Sequence, residues 1–185
     1  MAIEDLRQEV RRAARGDENS AALLFDHYYP RVYRYAFGKL RSHQDAEDIA
    51  SETFARALSR LDRFKWKGAG FEAWLFRIAS NLVVDLYRSS GREEVTDEMT
   101  TRDLLAEELT PEDLVITGDN AAAIIDLIDA LPEDQREVVL LRFAGGLDTQ
   151  AVARVTKRNA NAVRQLQFRA LRNLRNRIKK DVDED

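Results

Sequence analysis

The sequence predicts an all-α fold made of two small helical domains joined by an acidic linker. Three observations carry this prediction. Apolar residues recur every three to four positions along most of the chain, and no stretch alternates as a strand does. Eight Gly and three Pro in 185 residues leave little material for a loop-rich fold. Charge is segregated: residues 1–92 carry a net +3, 93–137 a net −13, 138–180 a net +10, and the last five residues −4. The overall −4 therefore hides a basic C-terminal block behind an acidic connector.

The elements follow in order. Leu24, Tyr28, Val32, Tyr35, Ala36 and Leu40 form one helical stripe, which Pro30 is expected to kink or to end. Ser42-x-x-Asp45 reads as the start of a helix reaching about Leu61, with Ala50, Phe54, Ala57, Leu58 and Leu61 on one face. Asp62–Gly70 combines two glycines, three basic residues and an aromatic pair, and reads as a loop. The clearest stripe comes next: Phe71, Trp74, Leu75, Ile78, Ala79, Leu82, Val83 and Leu86. Residues 89–110 are polar and acidic without a stripe. Thr110 then reads as an N-cap with Pro111 at the first helical position. Helices are expected at about 112–130, 133–144, 148–156 and 160–179, with Gly145-Gly146 separating the second from the third. The expected domains are 1–90 and 112–180, with a linker over 91–111 and an acidic tail over 181–185.

Composition narrows the function. There is no Cys and only His27 and His43, so disulfides, thiolate metal sites and His-based triads are not expected, and a reducing cytoplasm fits. No metal, cofactor or catalytic site is expected, since no nucleophile–base pair or phosphate loop is present. No window reaches the roughly 18 apolar residues of a membrane span. The acids near the N-terminus argue against an export signal.

Two constellations carry function. In the C-terminal block, Asp148 can cap a short helix with Val152, Ala153 and Val155 inward. A turn follows at Thr156-Lys157-Arg158, and Asn159 can cap a longer helix with Val163, Leu166, Ala170, Leu171, Leu174 and Ile178 inward. Ala153 lies where the two helices should cross. Arg164, Phe168, Arg172, Arg175 and Lys179 fall on the outward face. This is a helix-turn-helix with a basic recognition helix, and Asn161, Arg164 and Gln165 suit base edges or nearby phosphates. Asn159 reads as a cap rather than a base reader. In the N-terminal half, Arg77, Asn81, Val84 and Arg88 flank the apolar stripe, and Arg63, Lys65, Trp66 and Lys67 precede it. Cations interleaved with aromatics suit single-stranded DNA, which needs neutralised phosphates and a stacking platform. Trp74 reads as core. Asp45, Glu47, Asp48 and Glu52 form an acidic helix start, either dipole-complementing or a docking surface for a protein.

These motifs resemble a known family. Asp45-Ala-Glu-Asp-Ile-Ala-Ser-Glu-Thr-Phe-Ala-Arg-Ala57 resembles region 2.2 of sigma-70 factors. Phe71 to Arg88 resembles regions 2.3 to 2.4 of the extracytoplasmic-function (group 4) branch. Leu131-Pro-Glu-Asp-Gln-Arg-Glu-Val-Val-Leu-Leu-Arg-Phe143 and the helix-turn-helix after it resemble region 4. The resemblance covers about 20–90 and 112–178, and is similar in detail to actinobacterial members, including the BldN-like kind.

The resemblance implies an RNA polymerase sigma factor, without catalysis of its own, that directs core polymerase to promoters. Asp45, Glu47, Asp48, Glu52 and Phe54 would dock on the beta-prime clamp helices, and the C-terminal domain on the beta flap. Arg63, Lys65, Trp66 and Lys67 would capture a flipped base of the minus-10 element, with Arg77, Asn81 and Arg88 contacting the same element. Arg158, Asn159, Asn161, Ala162, Arg164, Gln165, Phe168 and Arg169 would read the minus-35 element. An anti-sigma factor is the implied regulator. One departure stands out: Lys157 occupies the turn position usually held by Gly. The competing reading is a stand-alone helix-turn-helix regulator, which would bind duplex DNA without polymerase.

Overall fold

The computed structural model describes residues 3–66, 70–89 and 121–183, with helices and short turns but no strand among them. The expected linker 91–111, the Thr110-Pro111 helix start and Lys67 lie outside the described residues. The helices are α1 (Ile3–Ala13), α2 (Glu18–Leu40), α3 (His43–Leu58), α4 (Gly70–Ser89), α5 (Ala121–Asp129), α6 (Glu133–Val139), α7 (Thr149–Val155) and α8 (Ala160–Asp183). A 3-10 turn covers Leu61–Arg63, and a π turn over Leu140–Ala144 continues α6.

Helix α2 is the axis of the N-terminal domain. Asp17 caps it, accepting from the Ser20 N–H at 2.7 Å. The helix runs through Pro30 without a boundary. Pro30 forfeits one backbone bond, but buried Tyr28 and Val32 on either side bind both halves to the same core. Ser42 caps α3 through the Asp45 N–H at 3.2 Å, as the sequence predicts. The helix ends at Leu58 rather than near Leu61, and its buried face is displaced from the expected one: Ala50, Phe54 and Ala57 are buried together with Ala46, Ile49 and Thr53, whereas Leu58 is 42 % exposed.

The stripe of α4 is wider than expected. Phe71, Leu75, Ala79, Leu82 and Val83 are buried, while Trp74, Ile78 and Leu86 are only partly so. Ala73 and Phe76 are buried as well. The reason is the second domain. Residues Val138, Leu141, Leu147, Val152 and Val163 join the core of α2, α3 and α4 in one continuous cluster. A smaller cluster of Leu131, Val139, Ala170, Leu171 and Leu174 closes the second domain on itself. Ile178, expected inward, is 43 % exposed, because α8 runs on past this cluster to Asp183.

Two glycines allow the close approach of the domains. A Cβ on Gly38 would fall 2.5 Å from Leu140 Cδ2, and one on Gly145 would fall 2.8 Å from Phe76 Cε1. Polar contacts surround them. Arg31 donates from Nε to the Gly145 carbonyl at 2.8 Å and from Nη2 to that of Gly146 at 3.0 Å. Its Nη1 reaches Glu72 at 2.9 Å. Arg136 donates to the free carbonyls at the end of α2, Gly38 at 2.7 Å and Lys39 at 3.0 Å. Arg41 holds Asp129 through two bonds, at 2.7 and 2.8 Å.

Lys39 lies at the centre, its side chain 4 % exposed, paired with Glu133 and with Glu137 at 3.0 Å. Burial alone would lower its pKa, but the Glu137 and Glu133 carboxylates outweigh it, and the net shift is upward. The Tyr35 hydroxyl donates to Glu137 at 2.8 Å; burial, then the Glu137 charge, pushes its pKa well up, so it stays a donor.

Removing a partner from a buried ion pair strands the remaining charge. Lys39→Met should therefore lower stability by about 3 kcal/mol, seen as a lower urea midpoint. Since the folded-state pKa is raised, the contribution is whole at neutral pH and fades only above the ordinary value of 10.5. The gap between parent and variant midpoints should hold across neutral pH and shrink above that value.

Candidate nucleic-acid interface

The loop after α3 is built by its glycine and its aromatics. Gly70 opens α4 at φ +74°, a conformation that suits residues without a Cβ. A Cβ there would also crowd Trp66 Cζ2 at 3.3 Å. Phe64 meets Trp66 edge-on at 5.6 Å and packs against Trp74 at 5.0 Å between centroids. Trp66 and Trp74 are both half-buried, so Trp74 belongs to the rim of the core rather than its interior. Arg63, Lys65, Arg77, Asn81 and Arg88 are all exposed. Arg63, Lys65 and Arg77 converge on a cleft of about 280 Å³ with Phe64 and Trp74 in its wall.

Arg154, on α7, lines the same cleft. Sequence reasoning missed it. It lies on the exposed side of the first helix of the helix-turn-helix, and only tertiary packing brings that side to the loop.

The helix-turn-helix has the expected local design. The Asp148 carboxylate accepts from the Ala151 N–H at 2.7 Å, and the Asn159 side chain from the Ala162 N–H at 2.7 Å. Both act as N-caps. Ala153 is buried between the helices, and its carbonyl accepts from Arg158 N–H at 2.9 Å. Lys157 takes φ +56°, so the turn keeps its left-handed residue without a glycine. Along α8, Asn161, Arg164, Arg172 and Arg175 are exposed, and Ala162, Gln165, Phe168 and Arg169 are half-buried. Asn161 Oδ1 accepts from Arg164 at 2.7 Å, which presents the two as a unit. Arg172 lies 6.0 Å over the Phe168 ring, so this aromatic is partly sheltered rather than fully outward. Arg158 is engaged by Asp134 at 2.7 Å.

On α3, Glu47, Asp48 and Glu52 are exposed and Asp45 is half-buried. Glu52 pairs with Arg56 at 2.7 Å. Phe54 is only 3 % exposed and cannot itself face a partner. It supports Phe25, whose ring lies 4.9 Å away, edge-on, and which is 38 % exposed. Phe25 was hidden in the sequence because it lies off the buried stripe of its helix.

Two cation-rich helical surfaces, one with a loop of aromatics and one a helix-turn-helix, are the features of a DNA-binding protein. The family comparisons identify which. Sigma-70 region 2 matches residues 24–93, and Sigma-70, region 4 matches residues 121–174. The chain belongs to the sigma-70 family, among the ECF RNA polymerase sigma factors. It is 36 % identical to ShbA of Streptomyces griseus, over 90 % of this chain and 91 % of that protein. It is 41 % identical to BldN of Streptomyces coelicolor over 89 % of its own length, but spans only 62 % of that relative. The fold is similar to that of the sigma factor RpoE solved in complex with the anti-sigma factor NepR from Bartonella quintana. The TM-score is 0.65 at 24 % identity, over 88 % of this chain and 97 % of that one.

A lysine in the left-handed region costs about 1–2 kcal/mol that glycine avoids, offset in part by the extra freedom of glycine when unfolded. Lys157→Gly should stabilise the protein by about 0.5–1 kcal/mol, measured by thermal or urea unfolding.

Proposed function

We propose that this sigma factor binds core polymerase through the acidic face of α3, with Glu47, Asp48 and Glu52 against the beta-prime clamp helices and Phe25 in place of Phe54. The Arg63–Lys65–Trp66 loop takes an unstacked base of the minus-10 element, and Arg77, Asn81 and Arg88 hold that strand. Lys67 belongs to the same loop by sequence. Helix α8 enters the minus-35 major groove through Asn161, Arg164 and Gln165, with Arg158, Ala162, Phe168 and Arg169 alongside and Asn159 as the cap. The C-terminal domain also docks on the beta flap. The chain acts as a specificity subunit in the cytoplasm, and polymerase performs the catalysis. Among the described residues, no helix is long and apolar enough to cross a membrane.

The observation that carries this reading is the pairing of two different nucleic-acid surfaces on separate modules: a stacking loop suited to single strands and a capped recognition helix suited to duplex. A stand-alone regulator has use for only the second. The two elements lie about 25 base pairs apart by their names, roughly 85 Å at about 3.4 Å per base pair. Helices α4 and α7 meet with Cα atoms within 8 Å. Reading both elements at once therefore requires the two domains to part, which breaks the contacts of Lys39, Arg31 and Arg136. An anti-sigma factor that holds the domains together, or covers the α3 and α8 faces, would silence the protein. The complex of the similar fold with NepR supports such a partner.

Co-elution of the purified chain with bacterial core polymerase at one-to-one stoichiometry is the expected result of size-exclusion chromatography. Tight binding to duplex promoter DNA with no core complex would favour the stand-alone regulator. Arg164→Ala combined with Arg169→Ala should reduce the dependence of transcription on the minus-35 sequence and leave core binding intact. Unchanged promoter preference would contradict the placement of α8.

A further inference from the structure

Trp66 does not stand alone in its loop. The guanidinium of Arg7, on α1, lies over the indole with Cζ 5.0 Å from the ring centroid. With Phe64 at its edge and Gly70 beneath Cζ2, the indole is held on three sides. The guanidinium comes from a helix that precedes the segment matched by Sigma-70 region 2, which begins at residue 24.

The rotation of α1 is fixed by its own packing. Leu6 and Val10 are buried against the core, four residues apart on one face. Glu9 accepts from the Ser20 hydroxyl at 2.6 Å and pins the helix to the start of α2. Arg7 and Arg11 each follow a buried residue by one position, about 100° further round the helix, and both are exposed. Arg15, just beyond the helix and also exposed, continues the four-residue spacing. A line of cations thus begins at the Trp66 ring and leads away from it. Asp5 lies two positions before Arg7, about 200° round the axis, and is no neighbour to this line. Arg12 is engaged by Glu9 at 3.4 Å, whereas Arg7 and Arg11 have no ion pair among the described residues.

We propose that α1 is part of the single-stranded DNA surface. Arg7 backs the Trp66 platform, and Arg7 and Arg11 neutralise phosphates of the strand whose base stacks there. A guanidinium suits both duties, since its plane stacks on an aromatic while its N–H fork reaches phosphate oxygens. The arrangement also explains why an exposed cation is held over an indole at a loop that carries both aromatics and cations. This inference rests on the reading of the Asp62–Gly70 loop as the base-capturing loop.

The test uses the whole factor assembled with core polymerase and a labelled single-stranded oligonucleotide carrying the non-template minus-10 sequence. Affinity is measured against salt concentration. Each lost phosphate contact on a single strand should reduce the log–log salt slope by about 0.7. Arg11→Ala is expected to show that reduction with a several-fold loss of affinity. Arg7→Ala should lose more, and Arg7→Lys should recover the slope while leaving affinity below that of the parent. Arg11 is exposed, so its variant keeps the test valid if Arg7→Ala disturbs the fold. Parental affinity and slope for Arg7→Ala and Arg11→Ala, with Trp66→Ala impaired, would overturn the role of α1 alone. If Trp66→Ala also binds like the parent, the assignment of the loop falls with it.

Discussion

The structure turns on the buried ammonium of Lys39. A lysine costs several kcal/mol to remove from water, and it is tolerated here because two carboxylates from the second domain meet it. Those carboxylates in turn need it: Glu137 also accepts from the Tyr35 hydroxyl at 2.8 Å. The arrangement is satisfied only when the two domains are together. Around it, Gly38 and Gly145 let backbone and side chain approach to distances a Cβ would forbid. Arg31 and Arg136 supply donors to the carbonyls left over at the π turn and at the end of α2.

An interface of this kind sets a defined cost on any separation of the domains. Its polar groups are side chains and helix-end carbonyls, which water and solvent ions can serve when the domains part. Its apolar part is continuous with the core of α2, α3 and α4: Leu140, Leu141, Leu147, Val152 and Val163 share one cluster with Phe76. The second domain keeps its own cluster around Leu131, Val139 and Leu171.

Charge gives the same architecture a second logic. The recognition helix is basic, the segment before it strongly acidic, and α3 presents carboxylates on the opposite module. Within the packed arrangement some of these charges neutralise one another, as in the pairs Arg158–Asp134 and Arg41–Asp129. Arg158 thus has a protein partner in the packed arrangement, which any phosphate would have to displace. Among the described residues, Arg7, Arg11 and Lys65 have no such acid partner, whereas Arg12 pairs with Glu9 and Arg63 lies 4.0 Å from Asp62.

Local structure was legible in the sequence because it is set by near neighbours. The caps at Ser42, Asp148 and Asn159 follow from side chains that reach an N–H three residues on, and the left-handed turn follows from its place between two helices even with Lys157 in it. The segregation of charge, the stacking loop and the basic face of α8 were equally plain, since each depends on residue type and spacing alone. What the sequence could not carry was contact between segments far apart in the chain. That Phe54 is covered by Phe25, that Phe76 is interior, that Leu58 and Ile178 are not, that Arg7 lies over Trp66 and Arg154 beside Arg77 all depend on which faces meet. Helical periodicity says that a face is buried but not against what, and the width of a buried stripe is fixed only when the second domain closes over the first.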